Sequence, residues 1–175
     1  MHGFGMTSYV ALLRAVNVGG TGKLAMSELR AMYVDAGFGR VQTYVASGNV
    51  VFESKASSRS VKLELEARLL AYAGKPVAVF VRTANEMQAV LNRNPFGEKP
   101  AKFTVAIFLD DPPPPDALDR AAGKADEEMR LGSREIYVHY GAGMGRSKLK
   151  IPAAMHGTAR NMRTIAKLVD MALEI

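Results

Sequence analysis

Cysteine is absent from the 175 residues. That excludes disulfides, a thiolate nucleophile and any cysteine-bound metal. Tryptophan is absent as well, and no apolar run reaches the roughly 18 residues that a membrane span needs. The opening residues 1–6 lack the basic-then-apolar pattern of a signal peptide. Met6 reads as an alternative start, with the residues before it an upstream extension. The expectation is a cytoplasmic protein with no membrane partner.

Histidine is scarce. His2, His139 and His156 share no ligand spacing such as His-x-x-x-His, so no metal is expected. No serine stands in Gly-x-Ser-x-Gly. The sequence names no catalytic residue and implies no cofactor. Acids are missing from residues 1–27 and again from 136–169, while 110–135 is rich in them. The second acid-free zone carries Arg146, Lys148, Lys150, Arg160, Arg163 and Lys167. Lys and Arg number 23 against 17 Asp and Glu, a net charge of +6. A basic zone suits phosphate, nucleic acid or another anion, or is a solvated face with no specific partner.

What is present is organised around Arg14-Ala15-Val16-Asn17-Val18-Gly19-Gly20-Thr21-Gly22-Lys23. An apolar run, 9–13, leads into it, and a helical pattern follows. Glycines let backbone N–H groups approach an anion closely, and the next helix offers unpaired N–H groups and the positive end of its dipole. Lys23 adds a point charge. A Walker A loop is excluded, because Leu24 follows Gly22-Lys23. The dinucleotide fingerprint fails too, since position 25 is alanine. The segment reads either as an anion cradle or as a tight strand-to-helix turn.

Apolar periodicity predicts strands at 9–14, 41–46, 50–54 and 77–81, with helices after the first and third. Ser47-Gly48-Asn49 is the hairpin turn between the second and third strands. The order β-α-β-β-α-β is the ferredoxin-like pattern. Right-handed crossovers then make the first two strands parallel, with the third between them and antiparallel. The loop after strand one, the 47–49 turn and the 74–76 link should therefore share one end of the sheet, with no carboxylate there. Thr83-Ala84-Asn85-Glu86 is a capping box that opens a third helix.

Residues 94–102 read as a linker between halves, 7–93 and 103–175. The second half begins with a strand at 103–109, then a helix at 116–123 and a hairpin about Gly132-Ser133-Arg134. It repeats β-α-β-β but is incomplete. A short basic helix is expected at 147–155. Thr158 should cap the last helix, with Arg160, Arg163, Lys167 and Asp170 on its outer stripe and Asn161 inside. The fold class is α+β, two ferredoxin-like (alpha-beta plait) halves with a C-terminal helix. Runs that are apolar on both faces argue against base stacking on an open sheet, as in an RNA recognition motif.

Several stretches together resemble the bacterial family called domain of unknown function 1697: Tyr9 through Gly20, Met26-Ser27-Glu28-Leu29-Arg30, Thr43 through Phe52, Val81-Arg82-Thr83, Asn94-Pro95-Phe96 and Thr158 through Thr164. The family typically has tryptophan where this chain has Met162. The resemblance implies two alpha-beta plait halves and no known activity. It adds Gly48 to the positions worth testing.

The leading expectation is a non-enzymatic binding module for a phosphate-bearing ligand, a nucleotide or nucleic acid. Its candidate ligand-binding residues are Arg14, Asn17, Gly19, Gly20, Lys23, Ser47, Asn49, Arg160 and Asn161. The alternatives are an enzyme acting on a small phosphorylated substrate, and a protein-interaction or homodimeric module.

Overall fold

The computed structural model describes residues 5–14, 25–44, 48–141 and 143–175. The chain divides into two units, Met1–Met87 with Leu168–Ile175, and Gln88–Lys167.

The first unit follows the expected order: β1 (Thr7–Leu13), α1 (Met26–Asp35), β2 (Gly39–Tyr44), β3 (Asn49–Ser54), α2 (Ser58–Ala73) and β4 (Val79–Thr83). Its sheet runs β2-β3-β1-β4. β3 lies antiparallel between β1 and β2, the arrangement that right-handed crossovers require. One face of the sheet packs Tyr9, Ala11 and Leu13 of β1 with Leu29 and Tyr33 of α1 and Val61, Leu65 and Leu69 of α2. Phe52 is its hub, stacked on Phe38 at 4.8 Å and on Tyr9 at 5.6 Å. The alternate residues Val10 and Leu12 are also fully buried, so the continuous apolar run does mark a strand covered on both faces. Ser57 caps α2 by accepting from the Ser60 N–H, and Gly74 ends it with a left-handed φ of 73°.

Next comes α3 (Ala84–Asn92). Its capping box is formed: the Thr83 N–H donates to Glu86 at 2.8 Å, and the Glu86 N–H donates to the Thr83 hydroxyl at 3.1 Å. The division between units falls within α3, upstream of the 94–102 stretch. Within that stretch Phe96 is buried and lies 6.1 Å from the His139 ring, while Pro95 and residues 97–102 are exposed.

The second unit holds β5 (Thr104–Phe108), β6 (Glu128–Leu131), β7 (Glu135–His139) and β8 (Thr158–Asn161), followed by α4 (Met162–Glu174). The sheet order is β6-β7-β5-β8. Strand for strand this repeats the first sheet, so the second half is not incomplete in strands: β8 supplies the fourth. Among the described residues, it lacks α-helices at the places of α1 and α2. The helix expected at 116–123 is a chain of turns, each closed by a bond three residues back, as from the Ala117 N–H to Pro114 and the Asp119 N–H to Asp116. Prolines 112–115 and Gly123 confine it. The helix expected at 147–155 is replaced by 3₁₀ turns at Met144–Arg146 and Pro152–Ala154. Between them Lys150 exchanges backbone hydrogen bonds with Ala122, at 2.8 and 2.9 Å, which is incompatible with a helix there.

The last helix starts later than expected. Thr158 does not cap it, because Thr158 to Asn161 pair with β5. Asn161 is the cap instead, accepting from the Thr164 N–H at 2.9 Å.

Candidate functional site

The ladder registers bring four chain segments to one end of the first sheet. Tyr44 and Leu12 both pair with Asn49, and Leu13 pairs with Val79. The Leu13 N–H donates to Gly48 at 3.1 Å and the Arg14 N–H to Ala78 at 2.9 Å. The end of β1, the 48–49 turn and the approach to β4 are thus side by side, as expected. Gly48 takes a left-handed φ of 79°, which suits glycine at that turn. Asn49 is fully buried, and its amide donates to the Tyr44 carbonyl at 3.1 Å. It fastens the two strand ends to each other.

Asn17, Gly19, Gly20, Lys23 and Ser47 lie outside the described residues. The chain resumes at Ala25, the N-cap of α1, which makes no side-chain capping bond. Among the described residues, the first N–H groups of α1 therefore have no side-chain cap.

This end is not free of carboxylate. Glu66, reaching from α2, accepts from the Val79 N–H at 3.0 Å, and Lys62 donates to the Val79 carbonyl at 2.7 Å. Lys62 and Glu66 also pair with each other at 2.7 Å. Nothing local signals this, because which strand edge the Lys62–Glu66 pair covers depends on the sheet order. A charged pair on an edge strand blocks further strand addition.

In the second unit Arg160 belongs to β8, not to a helical stripe. It is buried, and donates to the Thr158 hydroxyl at 2.7 Å and to the Ala159 carbonyl at 2.9 Å. Burial pushes its guanidinium down to about 10, which leaves it charged at neutral pH. Arg163, Lys167 and Asp170 are exposed on α4, as their spacing predicts.

Two polar residues had no signal in the local sequence. Arg82 is 2% exposed within β4; an arginine in an apolar run reads as an interruption rather than a buried group. His139 is 6% exposed. Its Nδ1 lies 2.9 Å from the Thr104 hydroxyl, which in turn is 3.2 Å from the Pro100 carbonyl. Both contacts are hydrogen bonds if Nδ1 carries the proton and the hydroxyl donates to Pro100. His156 is exposed. Among the described residues, no group of three His, Asp or Glu side chains could hold a metal ion. Among them, too, no helix is long and apolar enough to cross a membrane.

No curated protein matches the chain. Among solved structures it is similar to that of a conserved bacterial protein, SP0830, from Streptococcus pneumoniae. The two share 26% identity at a TM-score of 0.78, over 95% of this chain and 99% of that one. The model of a family described as proteins of unknown function, DUF1697, matches residues 6–137. With most of its length matched, this chain belongs to the DUF1697 family.

Proposed function

We propose that the protein is a non-enzymatic, cytoplasmic binding module for a phosphate-bearing ligand, a nucleotide or nucleic acid, recognised at the loop end of the first sheet. The observation that carries this reading is the convergence there of Arg14, the 48–49 turn and the approach to β4, next in sequence to a glycine-rich, lysine-bearing segment and a helix start with no side-chain cap. Uncapped N–H groups and a helix dipole favour an anion. The strand order of the first sheet, with α1 and α2 in its two crossovers, supports reading that half as a ferredoxin-like plait; the second half shares the strand order alone.

An enzyme acting on a small phosphorylated substrate would need a free acid or base at this end. Glu66 is engaged by Lys62 and by the Val79 N–H, which favours the binding reading. The test is a thermal-shift screen of nucleotides, sugar phosphates and short nucleic acids at low and moderate salt. A shift that persists at moderate salt and disappears in Lys23→Ala supports the reading. A rise with every polyanion that vanishes with salt would mean a basic surface only.

A further inference from the structure

The second sheet repeats the strand order of the first, but among the described residues its connections at 109–127 and 140–157 hold turns and short 3₁₀ segments rather than α-helices. The apolar face bearing Val105, Ile107, Leu109, Ile136 and Val138 is covered instead by turns, from which Leu118, Ala121, Leu149 and Ala154 pack inwards. Between these segments lies a cleft of about 510 Å³, within the size range of small-molecule sites. Its walls are Ile107, Leu149, Ile151, Pro152, Ala154 and Met155. The wall segments are tied together by the paired backbone bonds of Ala122 and Lys150. Gly123 fixes the same corner: with φ at 72°, a Cβ there would lie 2.1 Å from the Lys148 carbonyl oxygen. The cleft is therefore preformed.

Among the described residues, two polar side chains line it, Tyr140 and Lys150, and no carboxylate does. Tyr140 is half-buried, and its hydroxyl has no hydrogen-bond partner among the described residues. Burial, and the Glu127 charge acting on it, raise the phenol's pKa, so it is a neutral donor at ordinary pH. The Lys150 ammonium is exposed and has no ion-pair partner among the described residues. An apolar cavity offering one cation and one hydroxyl donor is complementary to an apolar body with a single carboxylate head. The geometry points to a second ligand site in this protein, one for small aromatic or branched aliphatic carboxylates, independent of the phosphate reading.

The test uses 2-naphthoate, with 2-naphthylmethanol as its neutral counterpart, titrated into the full chain and followed by probe fluorescence. The expected result is one saturable site per chain, with the alcohol bound about tenfold more weakly. Lys150→Met should reduce naphthoate affinity by about tenfold and leave alcohol affinity and melting temperature unchanged. Ala154→Phe should fill the cleft and remove binding of both probes. Non-saturating binding, equal affinity for acid and alcohol, or a Lys150→Met variant that binds naphthoate normally would overturn the inference. Neither probe carries phosphate, so this result stands or falls apart from that of the phosphate screen.

Discussion

Arg82 and Arg160 hold equivalent places in their two sheets. Each is the penultimate residue of the fourth strand, and each turns a guanidinium nitrogen back to the preceding carbonyl, at 3.2 Å to Val81 and 2.9 Å to Ala159. Each also precedes a residue whose side chain accepts from the N–H three positions on, Thr83 from Glu86 and Asn161 from Thr164. The internal repeat is thus carried by an arginine and a helix cap.

The caps give the first prediction. Asn161→Ala should destabilise the protein by about 1 kcal/mol, and Asn161→Asp should retain most of that. Thr83→Ala should cost a similar amount, about 1 kcal/mol, by freeing the Glu86 N–H. Urea denaturation of the variants measures both. An Asn161→Ala protein as stable as the parent would exclude the capping role.

The buried arginine gives the second. Arg82 is 2% exposed, so Arg82→Ala removes a packed stem and a hydrogen-bonded cation together. The expected loss is about 3 kcal/mol. Arg163→Ala, on the exposed side of α4, should change stability by less than about 0.5 kcal/mol. Paired chemical melts would detect the difference.

How much of this was legible in advance follows from where the information sits. The first sheet could be read because its strands are continuous apolar runs and its helices carry local stop signals, such as Gly74. Pairing across the sheet then followed from crossover handedness. β8 could not be read, because Thr158-Ala159-Arg160-Asn161 has no strand character of its own; its pairing with β5 is imposed from elsewhere in the chain. Arg160 therefore reads as part of a helix that starts only at Met162. Asn161, which reads from the spacing as an inward residue of that helix, is instead its cap. The loop-end residues Arg14 and Asn49 were found by connectivity alone, whereas Glu66 needed the edge position of β4.

Two glycines with similar backbones should respond differently to substitution. Gly74 has φ 73° and open space around a new Cβ, while Gly123 has φ 72° and a carbonyl oxygen 2.1 Å away. Gly74→Ala should cost about 1 kcal/mol, the backbone term alone. Gly123→Ala should cost more, because the Lys148 carbonyl must move and the bridge between Ala122 and Lys150 must open. Similar melting temperatures for the two variants would contradict the close approach.

Alkaline pH should weaken the fold. Tyr137 donates to the Val90 carbonyl at 2.7 Å, and burial, with the Glu135 charge beside it, pushes its phenol up from 10.0 to about 12. Between those values the unfolded chain gives up the proton and the folded chain keeps it. This contribution is intact below pH 10.0 and is lost as pH rises toward about 12. Arg160, pushed down to about 10, acts with the opposite sign by a comparable amount, and the net decline comes from Tyr33, whose fully buried phenol is pushed up further still. Tyr137→Phe should make the decline in urea midpoint above pH 10.0 shallower.

The central claim is that the loop end of the first sheet holds a phosphate-bearing ligand. Its most direct measurement is a binding titration of the best nucleotide or sugar phosphate from the thermal-shift screen, at moderate salt, against the parent chain, Lys23→Ala and Arg163→Ala. The account predicts saturable one-to-one binding that Lys23→Ala weakens by about tenfold or more and Arg163→Ala leaves intact. Equal weakening by both variants, or no ligand that binds saturably at moderate salt, would contradict it.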